Sequence, residues 1–340
     1  MVYSSKIYER LIAERLINVK LLFIFLDGVG LGQDDPMFNP FVHASMPTLE
    51  EILGGHKLIT NDHLPSKASD FYLVNTERAS LLALDACLGI DGLPQSATGQ
   101  ASLFTGKNVP SMLGYHEGPK PTPPIIELIN NGTLLTQLHQ QGKNASLLNA
   151  FPPRYFESSE AGYRIPGVIA MSVNQAGFHL KTMVDLYEGN AISADFTAEG
   201  WQSHLGFIDT PVLTHNEAGE RLRILAEMAD LTIFEYWLTD IAGHHQDMQS
   251  ACSLLEALDA VIGSLIDSWE DQNSLILLTS DHGNLEDLST RHHTRNDVPL
   301  LLIGLPELRD LFIHQIVLSS STRPKPDLTD ITPAILNFIG

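Results

Sequence analysis

Basic residues are scarce. Lys and Arg together number 20 against 41 Asp and Glu, a formal net charge of −21. A surface this acidic repels phosphodiester backbones and anionic bilayers, so neither nucleic acid nor a membrane is expected as a partner. Cysteine is nearly absent: Cys87 and Cys252 are the only two. They form neither a CxxC pair nor a zinc-ribbon pattern, and a reducing, cytoplasmic compartment is expected. Long apolar runs are missing too. The run "LLFIFL", Leu21–Leu26, stops at Asp27, whereas a membrane-spanning helix needs roughly 20 apolar residues. The run is also too short for the core of a secretory leader.

What the chain does have is length and rhythm. Its 340 residues are 44% hydrophobic, enough to bury a large core. Short apolar runs alternate with longer stretches of helical spacing. "VKLLFIFLDGVG" reads as a buried strand running into a Gly-rich loop, and "ERASLLALDACLGI" as a second strand region. "TLLTQLHQQGKNASLLNAF" reads as helix, turn at Gly142, then strand. "NEAGERLRILAEMADLTIFEYWLTD" repeats that order, with its strand expected to end at Asp240. "QSACSLLEALDAVIGSLIDSW" is an amphipathic helix, "NSLILLTSD" and "VPLLLIG" are strands, and "TDITPAILNFIG" closes with a helix. This alternation predicts an α/β fold with a largely parallel central sheet and helices on both faces. Ligands of such sheets gather beyond the carboxyl ends of the strands. Residues 151–211 break the rhythm, and a long weakly periodic segment in a compact chain suggests an insertion. The expected organisation is a core of residues 1–150 and 212–340 with a cap at 151–211.

The predicted strand ends share one chemistry. Asp27 follows "LLFIFL", and Asp240 follows "TIFEYWLT" with His244 four residues on. Asp281 and His282 follow "SLILLTS", and His293 lies just before the strand "VPLLL". Any one of these reads equally well as a helix cap or a surface polar group. His43, His56, His139, His179 and His215 show what uncommitted histidines look like here. Several carboxylates gathered at one sheet edge, however, repel one another unless cations lie between them. Ionised carboxylates with neutral imidazoles form a mixed oxygen and nitrogen set suited to zinc, manganese or a similar divalent ion.

A hydroxyl completes the set. "GLPQSATGQASLFTG" places Ser96 and Thr98 in a Gly/Pro-bounded loop that runs into a helix from Gln100. A helix N-terminus favours an anion, and a serine at such a point is either a nucleophile or simply an N-cap.

Together these stretches resemble the alkaline-phosphatase-like superfamily of metalloenzymes, most of all its cofactor-independent phosphoglycerate mutases and phosphopentomutases. "FLDGVG", "SATGQASLFTG", "DIAGHHQD", "SDHGNLED" and "HTRNDVP" occur in the order and approximate spacing of that family's motifs. The resemblance implies two divalent metal ions, manganese or zinc with magnesium as an alternative. One would be held by Asp240, His244 and His293, the other by Asp27, Ser96, Asp281 and His282. It also implies that Ser96, rather than Thr98, attacks phosphorus.

Two departures bear on the reaction. The mutases carry a large, arginine-rich cap, while residues 151–211 hold only Arg154 and Arg164 with Lys181. The mutases also have His where Gln100 stands. The expectation is therefore a metal-dependent phosphatase or phosphodiesterase acting on a small-molecule phosphate ester. A phosphomutase is the alternative, and a non-catalytic metal-binding protein a further one. Arg154 is the candidate substrate-binding residue; an ion pair with Glu157 or Glu160 is its competing role. His116 and Lys120, in "GYHEGPKPTPP", stand near a site entrance or merely in a stiff surface loop.

Overall fold

The first strand, β1 (Lys20–Leu26), is buried from Leu21 to Leu26. Its alternate residues face opposite ways, as the two-residue period of a strand requires. Leu21, Phe23 and Phe25 enter one apolar cluster, and Leu22, Ile24 and Leu26 enter another. A strand apolar on both sides must be covered on both sides. The computed structural model, which describes residues 19–60, 72–269 and 273–340, shows how.

The sheet contains β1, β2 (Tyr72–Asn75), β3 (Ala79–Leu84), β4 (Ala145–Leu147), β7 (Leu231–Tyr236), β8 (Ser274–Thr279) and β9 (Val298–Ile303). Their spatial order is β2-β3-β9-β8-β1-β7-β4. Strands β8, β1, β7 and β4 pair in parallel, and β9, β3 and β2 are added antiparallel in turn. Five of the seven strands thus run the same way, which bears out the mostly parallel sheet, with two reversed strands on one side.

The first cluster is filled by the helices Ser96–Thr105, Leu134–Gln140, Val168–Gln175, Pro306–Ser319 and Ile331–Ile339. The second is filled largely by His215–Ala226 and Met248–Asp267. The last of these is long and apolar enough to cross a membrane by composition alone. Its buried stripe, Ala251, Leu255, Leu258, Ile262 and Leu265, instead packs into the second cluster. Buried Asp259 also accepts the backbone N–H groups of Thr48 and Leu49 at 3.1 and 2.8 Å, so this is a core helix. Phe23, 1% exposed and stacked on Phe104 at 6.1 Å, marks the middle of the first cluster; truncation to alanine there costs about 3–5 kcal/mol.

Residues 151–211 hold the short helices Pro153–Glu160, Val168–Gln175, Met183–Tyr187 and Glu199–Ser203. They also supply β6 (Lys181–Thr182), which pairs with β5 (Ala150–Phe151). This segment is tied into the main body. Ile169, Ala170 and Val173 belong to the first cluster and Ile192 and Phe196 to the second, with Phe196 stacked on Phe234 at 4.8 Å.

One strand end differs from expectation. β7 stops at Tyr236, not at Asp240, and a helix, Leu238–His245, follows at once. The reason is the neighbour: β1 ends at Leu26, which pairs with Tyr236, so no ladder remains for Trp237 onward. Thr239 Oγ1 then donates to the carbonyls of Asp27 and Tyr236 at 2.6 and 2.8 Å. The new helix starts locked to the end of β1.

Candidate metal centre

The sheet topology explains why residues so distant in sequence meet. Asp27, Asp281 and His282 leave the carboxyl ends of β1 and β8, and the helix carrying Asp240 and His244 leaves that of β7. Strand β9 runs antiparallel to β8, so the segment preceding it, with His293, reaches the same edge. Strand β3 points with β8, and the chain beyond it brings Ser96 to the first turn of Ser96–Thr105.

In the helix Leu238–His245, Asp240 and His244 lie one turn apart on one face, with Asp240 Oδ2 3.2 Å from His244 Nε2. Asp240 Oδ1 is 3.7 Å from His293 Nε2, and the two histidine Nε2 atoms are 3.3 Å apart. Each of these histidines is oriented from behind. His244 Nδ1 lies 2.7 Å from the Arg291 carbonyl and His293 Nδ1 2.7 Å from the Pro94 carbonyl. A carbonyl only accepts, so both Nδ1 atoms carry a proton, and in the neutral tautomer this selects, each Nε2 presents a lone pair. Two lone pairs and a carboxylate facing one another have no mutual hydrogen bond to make; a cation satisfies all three.

The second group forms around His282. Its Nε2 lies 3.0 Å from Ser96 Oγ, 3.5 Å from Asp27 Oδ1 and 3.6 Å from Asp281 Oδ2. Gln100 Nε2 donates to Asp281 Oδ2 at 3.1 Å. Asp27 Oδ1 is buried with no hydrogen-bond donor, a costly arrangement unless a cation is bound. The rings of His282 and His293 stack at 3.7 Å, which places the two groups side by side.

The electrostatics tell the same story. Burial, then Asp281, Asp240 and Glu235, push the Asp27 carboxyl well above the usual range. Burial and then Asp240 push Asp281 up to about 7. Burial, then Asp281, pushes Glu235 up to about 7. His282 is pushed down by burial, and His293 down to about 4 by burial and then by His282. The protein offers oxygen and nitrogen lone pairs here and little positive charge of its own, the donor chemistry of a divalent-ion site.

Two groups have ligand atoms close enough together to hold an ion: Asp240, His244 and His293, and Asp27, Asp240 and His282. The first is the expected trio. The second adds what the sequence did not show, that Asp240 faces both groups rather than one. Asp281 and Ser96 border the second group through His282. Thr98 is otherwise engaged: fully buried, its Oγ1 donates towards the Gln95 and Glu117 carbonyls at 3.1 and 3.3 Å.

Arg154 lies apart from the cluster, on the wall of a neighbouring cavity of about 890 Å³. Lys120, Arg164, Tyr155, Glu235 and Trp237 share that wall, and Arg164 sits 5.2 Å over the Tyr155 ring. Among the described residues, Arg154 forms no ion pair with Glu157 or Glu160. His116 is not at the centre; its Nε2 lies 3.4 Å from the Ile90 carbonyl.

Sequence reasoning missed the supports. Asn284 Nδ2 donates to Asp240 Oδ1 at 2.7 Å. Ser280 Oγ accepts from Val29 N–H at 2.9 Å and donates to the His282 carbonyl at 2.9 Å. Both residues sit in or beside "SDHGN", and their direct neighbourhood to Asp281 and His282 was the available signal.

Comparison with known proteins agrees with this picture. Residues 180–340 match the model of the Metalloenzyme superfamily; that span holds Asp240, His244, Asp281, His282 and His293. The 2,3-bisphosphoglycerate-independent phosphoglycerate mutase of Desulforudis audaxviator is 29% identical over 136 residues, 38% of this chain and 25% of that protein. The enzyme of the same name from Methylobacillus flagellatus is 30% identical over 142 residues, with the same shares. The match thus spans about a quarter of the length of these curated relatives. The solved structure of PH0037 protein from Pyrococcus horikoshii covers 85% of this chain and 87% of its own, with a TM-score of 0.51 at 16% identity, a likeness of fold. The resemblance to the metalloenzyme superfamily read from the motifs is borne out.

Proposed function

We propose that this chain, whose residues 180–340 match the Metalloenzyme superfamily, transfers phosphoryl groups through Ser96, and that it hydrolyses a small-molecule phosphate mono- or diester. The observation that carries the reading is the position of Ser96 Oγ, 3.0 Å from His282 Nε2 at the border of a carboxylate and imidazole cluster otherwise short of positive charge. Asp240, His244 and His293 would hold one divalent ion, and Asp27, Asp240, Asp281 and His282 the other. Such ions lower the pKa of a hydroxyl and polarise phosphoryl oxygens.

The residues of the chain do the rest. The Ser96 hydroxyl gives up its proton, and Oγ bonds to phosphorus as the ester P–O bond breaks. The departing alcohol takes a proton. Water then attacks the phosphoserine, breaks the Oγ–P bond and restores Ser96. At the start of Ser96–Thr105 the Ser96 and Ala97 N–H groups and the helix dipole favour the anion, while the Thr98 N–H is taken by the Glu117 carbonyl at 3.0 Å. The cavity beside the centre receives the organic part of the ester, and Arg154 on its wall pairs with an anionic group of the substrate.

Hydrolysis is favoured by Gln100, which stands where the mutases carry His, and by the open rim of the cavity, where Tyr163 is 91% exposed. A phosphomutase is the second reading, favoured by the phosphoglycerate mutases that the chain matches over part of their length and by the cationic groups Lys120, Arg154 and Arg164 on the cavity wall. The deciding experiment incubates manganese-loaded protein with p-nitrophenyl phosphate and bis-p-nitrophenyl phosphate. Steady nitrophenol release establishes the hydrolase. Isomerisation of a sugar or acid phosphate without release establishes the mutase. Neither activity in metal-replete protein leaves only a metal-binding role. The free thiols of Cys87 and Cys252 support a reducing, cytoplasmic setting.

A further inference from the structure

Glu286 is not a ligand of either group, yet its carboxylate is 2% exposed and lies where three loops meet. Oε2 accepts the backbone N–H of Gly30 at 2.9 Å and that of Asn284 at 2.8 Å. Oε1 accepts from Asn296 Nδ2 at 3.0 Å and from the Thr294 hydroxyl. Gly30 lies in the loop that begins with Asp27. Asn284 lies in the loop that begins with Asp281 and His282. Thr294 and Asn296 lie in the loop that carries His293. One buried carboxylate therefore holds the three ligand-bearing loops together with four hydrogen bonds.

The glycines of two motifs are explained by the same group. A Cβ on Gly30 or on Gly283 would collide with the Glu286 carboxylate. "GVG" after Asp27 and "DHG" at 281–283 are thus the clearance that lets the carboxylate reach the backbone. Two further bonds run alongside it, Leu285 N–H to the Gly28 carbonyl at 2.8 Å and Thr294 N–H to the Gly283 carbonyl at 2.9 Å.

We propose that Glu286 is a positioning residue of the metal centre: its four hydrogen bonds fix the mutual placement of Asp27, His282 and His293, and so set the affinity and coordination geometry for divalent ions. The proposal rests on the metal-centre reading above. Supports behind the ligands contribute to metal affinity because an ion binds most tightly to donors already held in place, and their loss typically costs about 10–100-fold in affinity. A glutamine at 286 has nearly the same shape but replaces an acceptor with an NH₂ donor. Whichever way the amide turns, it sets donor against donor, at the Gly30 and Asn284 N–H groups or at the Asn296 amide, while the Thr294 hydroxyl can turn to accept.

The test is titration of the whole chain, freed of metal, with Mn²⁺ by calorimetry, and with Co²⁺ by visible absorption, for wild type, Glu286→Gln and Thr294→Val. The expected result is an Mn²⁺ affinity at least about tenfold weaker in Glu286→Gln with shifted Co²⁺ bands, and a smaller loss in Thr294→Val. A purely structural latch lowers the melting temperature of metal-free protein but leaves the affinity and the Co²⁺ spectrum of the folded fraction unchanged; that result overturns the proposal. If Glu286→Gln does not fold, Thr294→Val and Asn296→Ala decide in the same way, wild-type affinity in both counting against the role. Failure of the wild-type protein to bind either ion overturns the metal-centre reading itself, and with it this one.

Discussion

Asn284 holds Asp240. Its amide donates to Asp240 Oδ1 at 2.7 Å and to the Asp240 carbonyl at 3.2 Å, and this fixes the carboxylate that faces both ligand groups. Gly243 makes the contact possible, since a Cβ there would meet the Asn284 amide at 2.7 Å. His244, in contrast, belongs to one group only, and its side chain is 43% exposed.

Removing these two residues has different consequences. Asp240→Ala is expected to lose both ions, and His244→Ala to lose one and keep the other. Exposure of His244 keeps its substitution within about 0.5 kcal/mol of wild-type stability in the metal-free state. Equilibrium dialysis against Mn²⁺ with elemental analysis reads the difference directly. Equal metal content in the two variants would show that Asp240 is not shared.

Much of this candidate centre is legible in the sequence because the candidate ligand positions coincide with element ends. Asp27 and Asp281 follow buried apolar strands, and His293 precedes one, so a parallel sheet with a reversed neighbour suffices to bring them together. Asp240 is legible as a candidate ligand but not as a helical residue. Its helix begins where β1 ends at Leu26, a limit set by a partner strand over 200 residues away. Glu286 is harder still. In "HGNLED" it looks like a surface acid. Its partner Gly30 is 256 residues distant, and a hydrogen bond of that range leaves no period or spacing to read. The docking of residues 151–211 into both apolar clusters is hidden for a similar reason: Ile169, Val173, Ile192 and Phe196 sit in short helices and loops too irregular to show a stripe.

Ser96→Ala separates chemistry from metal binding. The side chains left at the second group, Asp27, Asp240, Asp281 and His282, still supply the lone pairs an ion needs, so metal content is expected to stay at the wild-type level. Turnover of a phosphate ester should fall by at least about 10³-fold, as for loss of a covalent nucleophile. Unchanged turnover in the metal-loaded variant would remove Ser96 from the reaction. Thr98→Val, by comparison, acts on the loop bonds to Gln95 and Glu117 and is expected to lower stability more than it lowers turnover.

Arg154 is expected to act through binding. It is exposed on the cavity wall, outside the ligand cluster, and a charged hydrogen bond to a substrate anion contributes about 1.5–3 kcal/mol. Arg154→Ala should therefore raise KM by about tenfold or more while kcat changes little, the pattern of an interaction made equally in ground and transition states. Arg154→Lys should recover only part of the loss, because lysine lacks the planar bidentate fork. Steady-state kinetics on an ester with a second anionic group checks this. An unchanged KM would detach Arg154 from the substrate.

Metal removal should give the protein a stability that falls as pH rises through neutrality. Asp27, Asp281 and Glu235 have folded-state pKa values raised above their ordinary range, Asp281 and Glu235 to about 7. Between the unfolded and folded values, the folded state holds more protons than the unfolded one. Its stability therefore drops with increasing pH, by at most about 1.4 kcal/mol per pH unit for each proton. His282 and His293 are shifted the other way and raise stability with pH. Their contribution tapers above about pH 6.5, where unfolded histidine is half neutral, and is complete by about pH 7.5. From about pH 6.5 to 8 the three carboxylates outweigh the two histidines. Bound Mn²⁺ keeps Asp27 and Asp281 ionised at all these pH values and removes most of the slope. Urea unfolding at pH 6.5 and 8.0, with and without Mn²⁺ after chelation, should show a decline in the metal-free protein that loading flattens. A metal-free protein equally stable at both pH values would mean that these carboxylates do not crowd one another as the geometry requires.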